Sequence, residues 1–426
     1  MYKKTIPTTL LSTLLLASVL TACSSSNNST SPSSTGSTDK QVKLTVWGMG
    51  DEAKSLPTIV QEFEKENPTI KVEVQALPWS SAHDKLLTAI ASKSGPDVIQ
   101  MGTSWIPEFA AAGALMDLTP YIKQYPEFNP DNFYTGSVNT TKYKNLTVGI
   151  PWYAETRVLY YRTDLLKQVG YNEAPKTWDE LQDAAKKLTA RGKGKYGINI
   201  DPAEGTLGFM FARQNGSKLF DDQNNPLFNQ PEFVEAIDYL NSFFKDGTAP
   251  VDLGLDVIQA FKGDAIIPMF ISGPWMINPI KEQAPELEGK WATAVLPTKK
   301  NNISALGGSD LSVFQFSKNQ EASLKFIAFM SKPDTQTQWR KLTNSLPAVL
   351  KAWEDPALKD DANYQIISKQ LKSAEPMPLI TSFEQISQKY ITHFEQIYRG
   401  KANVQTEMDT LNAEAKQLRV NKHTKG

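Results

Sequence analysis

From Val42 onward the apolar positions fall into two alternating rhythms. Val42 to Trp47 alternates nearly residue by residue, the period of a half-buried strand. Ile59, Val60 and Phe63 then recur at helical spacing, and Asn67-Pro68 ends that helix. A second strand, Ile70 to Val74, leads through Pro78-Trp79 to a helix carrying Leu86, Leu87 and Ile90. Gly95-Pro96 feeds a third strand, Asp97 to Met101, which ends in Gly102-Thr103-Ser104-Trp105. Strand, helix, strand, helix, strand at this spacing predicts an α/β fold with a mainly parallel sheet. Ligands of such sheets sit beyond the carboxyl ends of the strands. Asp51, Glu52, Trp79, Ser104 and Trp105 all fall there.

Further along, Thr147 to Ile150 reads as a short strand stopped by Pro151, with Trp152, Tyr153 and Glu155 following on irregular backbone. Val158 to Tyr161 reads as a strand buried on both faces, and Thr163 and Gly170 as the caps of a short helix. Thr177 and Glu180 have capping-box spacing, which makes Trp178 a packing residue. Pro231 to Lys245 carries Phe233, Ile237, Leu240 and Phe244 on one stripe. Ile266 to Phe270 leads to the turn Ser272-Gly273-Pro274-Trp275. Val295-Leu296-Pro297 and Ser345-Leu346-Pro347-Ala348 read as crossings between lobes, around the strand Leu311–Phe316 and the helix Glu321–Met330.

The first residues have another character. Lys3 and Lys4 precede an apolar run, Leu10 to Leu20, too short to span a bilayer comfortably. Leu20-Thr21-Ala22-Cys23 resembles the lipobox of a bacterial lipoprotein. The expectation is a signal peptide over 1–22, a lipidated Cys23 as first mature residue, and a Ser/Thr/Asn-rich tether over 23–40. Cys23 is the only cysteine, so no internal disulfide is available and stability must come from the core. A formal net charge of −1 gives no nucleic-acid footprint and no basic surface for anionic lipid. The remaining body, roughly 385 residues, is long enough for two lobes.

Ile150-Pro151, Leu159-Tyr160-Tyr161, Asp164-Leu165-Leu166 and Gly170 together resemble a signature of the bacterial extracellular solute-binding proteins of ABC importers, in the sugar and oligosaccharide branch related to maltose-binding protein. The turn at Gly273-Pro274-Trp275, the glycine pair Gly307-Gly308 and Ser317-Lys318-Asn319 extend the resemblance over most of residues 42 to 350. Arg162 stands where that family most often has Asn. The resemblance implies a periplasmic-binding-protein-like fold of two lobes, each with a mainly parallel sheet flanked by helices, joined by a multi-crossing hinge. Residues 41–151 with 297–345 would form the N-terminal lobe, and 152–296 with 346–422 the C-terminal lobe. It further implies a monomer without cofactor or catalytic residues, anchored outside the cytoplasm by its lipid alone. Its partners would be a carbohydrate, the permease subunits and their ATPase.

Sugar recognition needs flat aromatic faces for the C–H side of the ring and carboxylates for its hydroxyl protons. The chain has nine tryptophans, and Trp47, Trp79, Trp105, Trp152 and Trp275 sit at turns or strand ends. With Asp51, Glu52, Ser104, Tyr153, Glu155, Gly308 and Asp310 they form the candidate ligand set, while Trp291, Trp339 and Trp353 read as structural. The rival from another class is a surface-anchored glycoside hydrolase, which also places carboxylates beside tryptophans. An esterase is disfavoured, since Gly102-Thr103-Ser104-Trp105-Ile106 lacks the final glycine of a nucleophile elbow and only His83, His393 and His423 could act as base. No His or Cys cluster supplies a metal site. The same fold with a polyamine, ferric ion or peptide as cargo is a third reading; Tyr160 and Tyr161 should point to opposite faces of their strand, against a paired-tyrosine iron site.

Overall fold

Strand formation follows the alternation closely. The computed structural model describes residues 41–423 except Asp51 and Leu253. The expected signal peptide, Cys23 and the tether lie outside the described residues, as does Asp51. The strands are β1 (Val42–Met49), β2 (Ile70–Leu77), β3 (Val98–Gly102), β4 (Lys142–Tyr143), β5 (Leu146–Thr147) and β6 (Ile150–Thr156). They continue with β7 (Val158–Arg162), β8 (Met269–Ser272), β9 (Trp291–Ala294), β10 (Ser304–Val313) and β11 (Ala374–Pro376). Among the described residues no helix is long and apolar enough to cross a membrane.

The large sheet runs β11-β10-β3-β1-β2, with β6 on the other side of β10. β1 pairs in parallel with β2 and β3, and β10 with β11, whereas β10 lies antiparallel to β3 and β6. Helices Leu56–Glu66 and Trp79–Ser92 connect β1 to β2 and β2 to β3 as the apolar periodicity predicts. The small sheet, β8-β7-β9, differs from the parallel expectation by being antiparallel throughout. The reason is topological. β8 and β9 are joined through the helix Ile277–Gln283 and run the same way, but β7 is inserted between them in the opposite sense.

β6 also departs from expectation. Pro151 does not stop a strand; it lies inside one. Ser309 pairs with Tyr153 but Asp310 with Pro151, so Trp152 is the extra residue of a bulge. A bulge is where a sheet tolerates proline, because no ladder donor is required there.

Tyr160 and Tyr161 pack into different clusters, as the strand period demands. Tyr160 joins a core that both sheets share, its ring stacked on Phe270 of β8 at 4.8 Å. Tyr161 lies against a helical layer that includes Pro231–Lys245 and Phe383–Tyr398. The chain passes between the sheets at Arg157, between β6 and β7, and again over 295–303, between β9 and β10. After Ser345–Ala348 it touches both sheets: Ala154 donates to the Leu346 carbonyl (3.0 Å), Thr293 of β9 donates its amide to Asn363 Oδ1 (2.8 Å) of the helix Ala362–Leu371, and β11 pairs with Ser304–Leu306. Residues 377–382 then lead from β11 to the helix Phe383–Tyr398 of the helical layer.

Candidate functional site

The carboxyl ends of β1, β2 and β3 lie on one edge of the large sheet, because Met49 pairs with Leu77 and Trp47 with Ile99. Glu52 follows β1, and Trp79 follows β2. Against them stand Tyr153 and Glu155 of β6, Gly308 of β10, Trp275 after β8, and Thr343, Asn344 and Ser345 at the end of the helix Pro333–Thr343. These nine residues line one cavity of about 470 Å³. Trp79 and Trp275 remain 36% and 38% exposed, so aromatic surface is presented to it from both sheets.

A hydrogen-bond network fixes the polar wall. Tyr153 donates its hydroxyl to Glu52 Oε1 (3.2 Å), which also accepts from Trp79 Nε1 (3.4 Å). The Tyr153 oxygen accepts from Gln100 Nε2 (3.2 Å) and Ser309 Oγ (3.1 Å). Gln100 is fully buried, and its own oxygen accepts from the Met49 amide (2.7 Å). Burial, then the charges of Glu155 and Glu52, push the Tyr153 hydroxyl well above its ordinary value, so it remains a donor. Burial likewise raises the Glu155 carboxyl to about 7, against the pull of Arg157 and with help from Glu52 and Glu204. The wall therefore offers the side-chain oxygens of Glu52 and a Glu155 carboxyl whose proton is held up to about 7.

Gly308 permits this approach. Its φ is +116°, and a Cβ there would lie 2.1 Å from the Tyr153 carbonyl oxygen. On one edge of β10, β11 covers Ser304–Leu306 and β3 covers Ser309–Val313, leaving Gly307 and Gly308 between them. A second cavity of about 140 Å³ opens at that gap, lined by Gly307, Thr103, Ser104, Thr206, Pro376 and Glu384 among others.

Of the sequence-predicted ligand set, Glu52, Trp79, Tyr153, Glu155, Trp275 and Gly308 come together in the larger cavity, and Ser104 lines the smaller. Trp105 supports the site from behind. Its ring meets Trp79 edge-on at 5.3 Å and His83 at 5.2 Å. Trp47 lies under Lys85, whose Nζ is 4.5 Å from the ring centre, and does not line the cavity.

Trp152 is placed in the core, 1% exposed and stacked on Trp339 at 4.7 Å, because the bulge turns it away from the cavity. Asp310, one residue past the bulge, is also buried; burial raises its carboxyl to about 8. Thr140 Oγ1 is the donor facing it, 3.0 and 3.2 Å from its two oxygens and 2.6 Å from the Ser137 carbonyl, and this contact pulls the carboxyl back down. Asp310 is thus enclosed within the sheet and does not line the cavity.

Gln100 and the Thr343–Ser345 turn were not visible as site residues in the sequence. The turn is set by Asn344 in the left-handed region (φ 63°), which donates its amide to the Arg340 carbonyl (2.8 Å). Its side chain is held by Asn278. An Asn directly after a helix is the one available signal.

Comparison with known proteins agrees with this geometry. The model of the bacterial extracellular solute-binding protein family matches residues 49–337. The solved structure of the sugar-binding protein MalE from Xanthomonas citri superposes with a TM-score of 0.85 at 32% identity, covering 90% of this chain and 98% of that one. A substrate-binding protein of an ABC transporter from Listeria monocytogenes, in complex with cycloalternan, superposes at 0.76 with 25% identity over 88% of this chain and 98% of that one. The galactooligosaccharide-binding protein of Bacillus subtilis is 26% identical over 422 residues, 95% of each chain. A match through the sheet edge, the bulged strand and the glycine pair places the chain in a family of binding proteins: it belongs to the bacterial extracellular solute-binding proteins.

Proposed function

We propose that the 470 Å³ cavity captures a carbohydrate, an oligosaccharide in particular, for delivery to the permease and ATPase of an ABC importer. The observation that carries this is the pairing of two half-exposed tryptophans, one beside each sheet, with Glu52, Tyr153 and Glu155 between them. Indole faces take the apolar side of a sugar ring, and the carboxyl oxygens accept its hydroxyl protons. The volume falls within the range of small-molecule sites, about 300–1,000 Å³. Relatives whose names specify galactooligosaccharide and arabinooligosaccharide binding support the same cargo class.

In this reading the two sheets belong to two lobes, which hinge at Arg157, over 295–303 and over 377–382. Ligand bridging Trp79 and Trp275 favours the closed state. The N-terminal lobe then extends from 41 through β6 rather than stopping at 151, because β6 pairs with β10. The protein acts outside the cytoplasm as a monomer, held at the cell membrane by acyl chains on Cys23 and the tether 24–40. It binds without cleaving.

The test is calorimetric titration of residues 24–426 against a panel of oligosaccharides, with each mixture assayed for new reducing ends. One-to-one binding with the sugar intact supports capture. New reducing ends would turn the carboxyl pair Glu52 and Glu155 into a hydrolase site.

A further inference from the structure

Arg157 is the single residue between β6 of the large sheet and β7 of the small one. Its backbone is held from both sides. The amide donates to Ser304 Oγ (3.0 Å), and that hydroxyl donates to the Arg157 carbonyl (2.9 Å). Its guanidinium donates through Nε (2.9 Å) and Nη2 (2.7 Å) to Glu204 Oε2. Glu204 is fixed in turn, its other oxygen accepting from Thr206 Oγ1 (2.6 Å). The same guanidinium lies 4.6 Å from the centre of the Trp275 ring. That ring also lies across Gly273, where a Cβ would meet its six-membered edge at 2.0 to 2.5 Å. Gly273 is tied down as well, its carbonyl accepting from the Tyr160 hydroxyl (2.6 Å).

From this geometry we infer that Arg157 is a positioning residue for ligand: its ion pair with Glu204 clamps the indole of Trp275 in place and ties that platform to the crossing between the sheets. The inference rests on the sugar-capture reading of the cavity. A planar guanidinium, locked by a carboxylate and lying over an indole, removes the freedom a half-exposed tryptophan would otherwise lose on binding. Because Arg157 is itself the crossing residue, a change in the angle between the sheets moves the clamp and the ring with it.

The test is a double-mutant cycle. Arg157→Met is combined with Glu204→Gln, so that no partly buried charge is left unpaired, and the pair is introduced with and without Trp275→Ala. With Trp275 present, affinity for the tightest oligosaccharide of the panel falls roughly ten-fold. In the Trp275→Ala background the same pair changes affinity by less than about two-fold. An equal loss in both backgrounds overturns the inference, because Arg157 would then act elsewhere. Thermal unfolding verifies that each variant is folded, and Arg157→Lys, which keeps charge but not the planar guanidinium, gives an intermediate loss.

A ligand-free readout separates this from the parent reading. The emission of Trp275, taken as the difference between each protein and its Trp275→Phe counterpart, is quenched with acrylamide. The paired substitution raises the quenching constant of that component at least two-fold as the ring is released. If no sugar binds the wild-type protein, sugar capture fails while quenching still decides the clamp. An unchanged quenching constant overturns it.

Discussion

Gly307 and Gly308 are adjacent in sequence and in one strand, yet substituting alanine should have opposite outcomes. At Gly308 φ is +116°, and the new Cβ would lie 2.1 Å from the Tyr153 carbonyl oxygen, 3.0 Å from its carbon and 3.1 Å from Ala154 Cα. All three are backbone atoms, so no rotamer change relieves the overlap. Left-handed placement of a Cβ costs about 1–2 kcal/mol. Forced overpacking costs about 1–3 kcal/mol more. Together these give about 2–5 kcal/mol against the folded state for Gly308→Ala. At Gly307 the nearest atom to a new Cβ is Glu155 Cβ at 3.9 Å, an ordinary contact, so Gly307→Ala should stay within about 0.5 kcal/mol. Calorimetric melting of the two variants beside wild type reads the contrast directly. Gly308→Ala should melt several degrees lower and, by displacing Tyr153 from Glu52, bind sugar more weakly. Equal melting temperatures for the two variants would refute the close approach of β10 to β6.

Removing either platform, Trp79→Ala or Trp275→Ala, should weaken oligosaccharide binding roughly ten-fold each, measured by calorimetry, with little change in melting temperature because both rings are more than a third exposed. Stability should also depend on pH through Asp310. Its folded value, about 8, lies above its ordinary 3.8, so the folded protein holds a proton that the unfolded chain has released between those values. Stability from this group is thus present at low pH and lost as pH rises toward 8, and Asp310→Asn should flatten that decline in denaturant titrations from pH 5 to 8. Glu155, raised to about 7, acts with the same sign; Glu155→Gln should remove any change in sugar affinity between pH 6 and 8. Finally, Cys23→Ser should abolish palmitate labelling and release the protein from the membrane fraction.

Part of the site was legible because of where parallel strands end. Glu52 and Trp79 follow β1 and β2, and the rule that ligands gather beyond strand carboxyl ends depends only on local order. Trp275 was legible through the small-residue turn before it. Trp152 and Asp310 were not, because which way each points is set by the bulge between β6 and β10, strands some 150 residues apart in sequence. Pro151 suggested a strand end in isolation; only the partner strand shows that its missing donor is harmless. Likewise, nothing local to Thr343–Ser345 reveals that this helix end closes the cavity, since Asn278, itself bonded by Tyr364, holds it from another element. The small sheet misled in a similar way. The resemblance implies a mainly parallel sheet there, and the antiparallel insertion of β7 between β8 and β9 is a long-range fact.

The central claim is that sugar is held between Trp79 and Trp275. The most direct test is a titration of residues 24–426 with the tightest oligosaccharide of the panel, followed by tryptophan emission in wild type and in the Trp79→Phe/Trp275→Phe double variant. Wild type should give a saturable change in emission whose midpoint equals the calorimetric Kd, and the double variant should give almost none. A full-sized change in the double variant, at unchanged Kd, would place the sugar elsewhere and contradict the account.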